Sequence, residues 1–116
     1  MSESEDADGP PSRVGPIVFA DETARQQLLE EGEVVTFRAR ERSTGETWWR
    51  RSRTGPKEGD VIVEEIGECD PRDIEQLEPY GDKSGFQSAR EWRHAINALN
   101  DGLEPGYLYR VRPINR

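Results

Sequence analysis

Cysteine, histidine and lysine are almost missing from this chain, and each shortage closes off chemistry. Cys69 is the only cysteine, so no intramolecular disulfide and no cysteine-based metal cluster can form. It reads as a small residue at the end of a strand. His94 is the only histidine. It falls beside Arg93 and off the apolar stripe of its helix, which suits a solvated side chain better than a ligand or a catalytic base. Glu64 and Glu65 are neighbours on a predicted strand, so they point to opposite faces and cannot act as an acid–base pair. No metal-ligand spacing is present, and neither a metal nor a cofactor is expected. Apolar runs are only a few residues long. That is too short for a membrane span or a signal peptide, and the chain reads as a cytoplasmic monomer, with nothing that demands a dimer.

Apolar residues are also scarce. Leu, Ile, Val and Phe together make 22 of the 116 residues, and the mean hydropathy is −0.96. With a net charge of −8, that level borders on compositions that stay disordered. The charged residues give another reason for it. There are 24 acids, 14 arginines and two lysines, Lys57 and Lys83. Acid excess with lysine avoidance resembles halophilic adaptation to a salt-rich cytoplasm, where charges are screened beyond about 3 Å at 1 M salt. Such salt also weakens counterion release as a source of nucleic-acid affinity. A binder would then depend on stacking and directed hydrogen bonds.

The pattern predicts one α+β domain over residues 14–116, preceded by a disordered acidic tail over 1–13. Residues 14–19 read as a strand. Asp21 caps a helix over 22–31 with Leu28 and Leu29 on its buried side, and Gly32 ends it. Val61 to Ile66 read as a central strand. Asp70-Pro71 opens a short helix over 71–78, and 79–85 is a loop. Ser88 and Glu91 form a capping box for a helix whose buried stripe is Trp92, Ala95, Ile96 and Leu99. Residues 106–114 alternate as a last strand.

Against this acidic background stands residues 33–57, with six arginines and Lys57 against three glutamates. The segment carries +4, which leaves −12 for the rest. Residues 33–42 and 46–53 read as two strands joined by Ser43-Thr44-Gly45, a basic hairpin with Arg40 opposite Trp48 and Arg38 opposite Arg50. One face then presents Thr36, Arg38, Arg40, Arg42, Trp48 and Arg50, with Trp48 exposed. The other presents Val35, Phe37, Ala39, Trp49 and Arg51 to the core. Arginine forks match phosphates and an indole can stack on a base. The candidate nucleic-acid-binding set is Thr36, Arg38, Arg40, Arg42, Trp48, Arg50, Arg53 and Arg110, with Arg112 as an extension.

Three elements in order resemble an ASCH domain of the PUA-like superfamily. They are Gly32-x-x-x-Thr36-x-Arg38, then Gly59-Asp60-Val61, then Gly85-Phe86-x-Ser88-x-x-Glu91-Trp92. The resemblance covers about residues 17–114 and implies a small β-barrel with flanking helices and a cleft lined by Thr36 and Arg38. It also implies RNA binding. Some members resemble acetylcytidine amidohydrolases with a catalytic Lys, Thr and Glu. Here Glu33 stands at the lysine position and Lys83-Ser84 at the glutamate position. Only the threonine is kept, and a lone threonine lacks a base and an oxyanion partner. The first expectation is therefore an RNA- or nucleotide-binding module with no catalytic residue. The alternatives are a hydrolase of modified nucleosides or RNA in the same cleft, and an adaptor docking an acidic protein partner.

Overall fold

The computed structural model describes residues 14–114. The expected acidic tail over 1–13 lies outside the described residues. Its elements are β1 (Ile17–Val18), α1 (Glu22–Glu31), β2 (Val34–Arg38), β3 (Gly45–Arg50), β4 (Gly59–Cys69), two 3-10 helices (Ile74–Gln76 and Glu78–Lys83), α2 (Ala89–Asn100) and β5 (Gly106–Pro113). The strands form one mixed sheet in the order β1-β3-β4-β5-β2. It is a small α+β domain, and the sheet curls into a half-barrel.

The basic hairpin does not exist. β2 pairs with β5, Thr36 opposite Tyr109 and Arg38 opposite Tyr107. β3 pairs with β4, Trp48 opposite Asp60, and runs parallel to β1. The physical reason lies in charge and burial. The hairpin would set Arg38 directly against Arg50, a like-charge pair that destabilises a sheet. The observed β4–β5 pairing instead places Glu64 opposite Arg110 and brings Arg112 within 2.8 Å of Glu64. Val34 and Val35 are both buried, which requires cover on both sheet faces. β5 provides a neighbour for each, since Tyr109 and Leu108 are buried on opposite faces of it. β2 also ends at Arg38, short of the expected Arg42. The chain then leaves the sheet, and the Arg42 backbone N–H donates to the Tyr109 hydroxyl at 2.7 Å.

β4 is the central strand, as its apolar start suggests. Between Glu65 and Gly67 its register against β5 shifts by one residue. This bulge exchanges the faces: Val61 and Val63 point into the inner cluster with Trp49 and Tyr109, while Cys69 joins the outer cluster with Phe37, Leu108 and Trp92. The expected helix over 71–78 is replaced by the two 3-10 turns. Pro79 enters the first turn of the second one and has no N–H to continue a helix from the residues before it.

The two α-helices stand where the capping residues put them. Asp21 accepts from the Thr23 N–H at 2.7 Å, and Gly32 closes α1 with φ 75°. Ser88 accepts from the Glu91 N–H at 3.1 Å, and Asp101 ends α2 in the left-handed region. Two expected core residues are exposed, however: Leu29 at 61% and Leu99 at 67%. Leu29 is one position, about 100° of helix, past Leu28, which takes the whole contact. Leu99 lies one turn beyond Ile96, where the outer face of the sheet no longer covers α2. Trp49 and Trp92 are buried as expected.

Tyr109→Phe should destabilise the domain by about 1–3 kcal/mol, the cost of leaving a donor without its partner. Urea unfolding of the variant beside wild type measures this. An unchanged midpoint would mean that the Arg42 N–H finds water instead.

Candidate anion-binding cavity

Curling brings the two edge strands of the sheet, β1 and β2, towards each other without pairing them. Arg38 spans the seam: its Nη2 donates to the Val18 carbonyl at 3.0 Å, and its guanidinium lies over the Phe19 ring at 5.2 Å. Arg42 makes a second tie, from Nη2 to the Gly15 carbonyl at 2.7 Å, while its Nε donates to Ser43 O at 3.0 Å. A cavity of about 600 Å³ opens along this seam. One wall carries Arg50 and Arg53 from β3 and the turn after it. Thr36, Phe37 and Arg38 of β2 form the middle. On the α2 side the lining has Phe86 and Leu99, with Trp92 and Ile96 buried behind them.

Four arginines, Arg38, Arg42, Arg50 and Arg53, meet in this lining. The only acid among the lining residues is Asp21, which caps α1, so the lining carries +3. None of the four arginines has a carboxylate within ion-pair distance among the described residues, although six other cations do. The Nε groups of Arg38 and Arg50 are buried and have no hydrogen-bond acceptor. Burial, with the charge of Arg42 next, lowers the Arg38 pKa from its ordinary value to about 10. Burial lowers that of Arg42 as well. An uncompensated buried cation is costly, so the site is electrostatically prepared for an anion.

The candidate residues therefore divide. Thr36, Arg38, Arg42, Arg50 and Arg53 are brought together in the cavity lining. Arg40 is exposed in the loop after β2. Trp48 lies outside the lining, half-buried rather than exposed, with the Arg50 guanidinium over its ring at 5.2 Å. Arg110 contacts Glu33 at 2.6 Å, with its buried Nε–H directed off the straight line of a hydrogen bond. Lys83 approaches the same glutamate at 3.9 Å. Glu33 and Lys83 are thus joined to each other and lie outside the cavity lining, whereas Thr36 lies in it.

The apolar wall was not anticipated as part of the site. Its one signal in the sequence is Leu99, the last member of a buried stripe that continues past the surface able to cover it. No family model, no curated protein and no solved structure matches the chain.

The folded protein releases the Arg38 proton before the unfolded chain does. As pH rises past about 10 this group therefore adds stability, and below that pH its buried charge is a cost. A bound anion favours the protonated form and reverses that balance. Phosphate should thus raise Tm at pH 8, by on the order of 10 °C at a hundredfold excess over Kd. The rise should shrink as pH passes through about 10. Thermal melts with and without phosphate across pH 8–11 check this, where a shift independent of pH would remove Arg38 from the site.

Proposed function

We propose that this chain is an ASCH-like, PUA-like module that binds RNA or a nucleotide in the seam cavity. The observation that carries the reading is the meeting, in one partly apolar cavity, of four arginines that have no ion-pair partner among the described residues, in a chain whose net charge is −8. The volume lies within the roughly 300–1,000 Å³ usual for small-ligand sites. Arginine N–H groups recognise phosphate oxygens, and the Phe86 and Leu99 side offers apolar contact for a base. The resemblance of the Gly32–Arg38 and Gly85–Trp92 elements to ASCH domains supports the same site, since Thr36 and Arg38 belong to both descriptions. An acidic protein partner would also meet positive charge here. The apolar rim at Phe86 and Leu99 favours the nucleotide.

Arg50→Glu combined with Arg53→Glu should weaken binding of a short single-stranded RNA at least tenfold. Arg40→Glu combined with Arg112→Glu, both outside the cavity lining, should change it less than threefold. Gel-shift titrations of the two variants compare them. Equal losses would point to general surface charge, and binding of an acidic peptide but not RNA would favour the adaptor reading.

A further inference from the structure

The arginines converge on one place, and this limits what form of phosphate suits them. A strand bound along its length needs cations spaced along a track. Here the residues that would extend such a track are turned elsewhere: Arg40 lies exposed beyond β2, and Arg110 and Arg112 are joined to Glu33 and Glu64. Within the cavity, Arg38 and Arg50 hold buried Nε groups that lack acceptors. Arg53 has no ion-pair partner among the described residues. A phosphodiester brings one negative charge. A phosphate monoester brings about −1.5 to −2 at pH 7 and three acceptor oxygens, which better compensates a lining of +3.

We propose that the cavity takes a terminal phosphate monoester of a nucleoside, its phosphate against Arg38, Arg50 and Arg53 and its base against Phe86 and Leu99. This rests on the nucleotide-binding reading above. The shared chemistry occurs in a free mononucleotide and at the phosphorylated end of an RNA chain.

The same geometry assigns a specificity. Discrimination between bases needs free donors and acceptors facing the base edge, at about 1–3 kcal/mol for a good pair. The polar groups on the α2 side are largely engaged. Ser84 Oγ donates to Gly81 O at 2.8 Å and accepts from the Phe86 N–H at 3.1 Å. The Asn100 amide donates to Ile96 O at 2.9 Å. The wall that remains is apolar and accepts any ring. Recognition is therefore strict for the phosphate and permissive for the base.

The test titrates the wild-type protein by tryptophan fluorescence with CMP, AMP, cytidine and inorganic phosphate. The same RNA oligonucleotide is then compared with a 5′-phosphate, a 3′-phosphate or neither. All titrations run in about 1 M KCl, where screening leaves only contact-range charge effects. CMP and AMP should bind within about fivefold of each other, and cytidine at least tenfold more weakly, as loss of charge-assisted hydrogen bonds implies. One of the two phosphorylated RNAs should bind at least tenfold more tightly than the unphosphorylated one. Arg53→Gln should reduce that preference, while Arg112→Gln keeps it. RNAs that bind equally whatever their ends would overturn the end-group proposal and leave RNA binding standing. Failure of every nucleotide and RNA would overturn both. Inorganic phosphate binding as tightly as CMP would remove the base from the cavity, and cytidine binding as tightly as CMP would remove the phosphate.

Discussion

Arg38 holds the open side of this domain. The curled sheet has two edges that approach but do not pair, and its guanidinium crosses between them to the Val18 carbonyl while packing over Phe19. Arg42 repeats the tie at Gly15. Backbone pairing would have closed the barrel more simply, but would have left no cavity. Side-chain ties keep the edges close and leave room between them. The same bridge accounts for the electrostatics, because closing the seam with a cation buries that cation without a counter-charge.

Among the described residues, no carboxylate pairs with the arginines of the cavity. The acids are far more numerous than the bases, yet they pair with cations elsewhere: Glu33 with Arg110 and Lys83, Glu64 with Arg112, Asp60 with Lys57, Glu58 with Arg51. Sheet pairing helps to sort them, since β4 and β5 match acid to base across the ladder. Asp21, the one acid in the cavity lining, is engaged at the N-terminus of α1. An unoccupied carboxylate there would compete with any anionic ligand. The lining stays positive because four arginines outnumber Asp21, in a protein that is otherwise strongly negative.

The apolar half of the cavity follows from a mismatch of lengths. The α2 stripe is one residue longer than the surface that covers it. Trp92 and Ile96 are buried against the outer face, and Leu99 is left over at the rim. The cationic residues and the apolar rim thus lie on either side of the edge strand β2, within one lining. That pairing of chemistries suits a ligand with a charged end and a flat apolar end. It is less suited to a purely ionic contact with a protein surface.

Local signals in the sequence were sufficient for the helices and for most strand positions. Asp21, Gly32 and Ser88 mark helix ends because capping is decided within a few residues, alternation located β2 and β5 because side-chain period is a local property, and an apolar run located β4. Pro79 and the exposed ends of both apolar stripes show the limit of such signals, since propensity and period do not say how far the covering surface extends. The choice of partner for β2 is not local at all. It depends on the like charges of Arg38 and Arg50, the double-sided burial of Val34 and Val35, and a strand seventy residues away that can satisfy both. Three of the four arginines expected on one face of a hairpin, Arg38, Arg42 and Arg50, do meet, joined by Arg53 in place of Arg40, but across a seam closed by curvature. Their positions along the chain were legible, whereas their convergence on a shared cavity, and the aliphatic wall opposite them, follow from the strand order and the curl of the sheet.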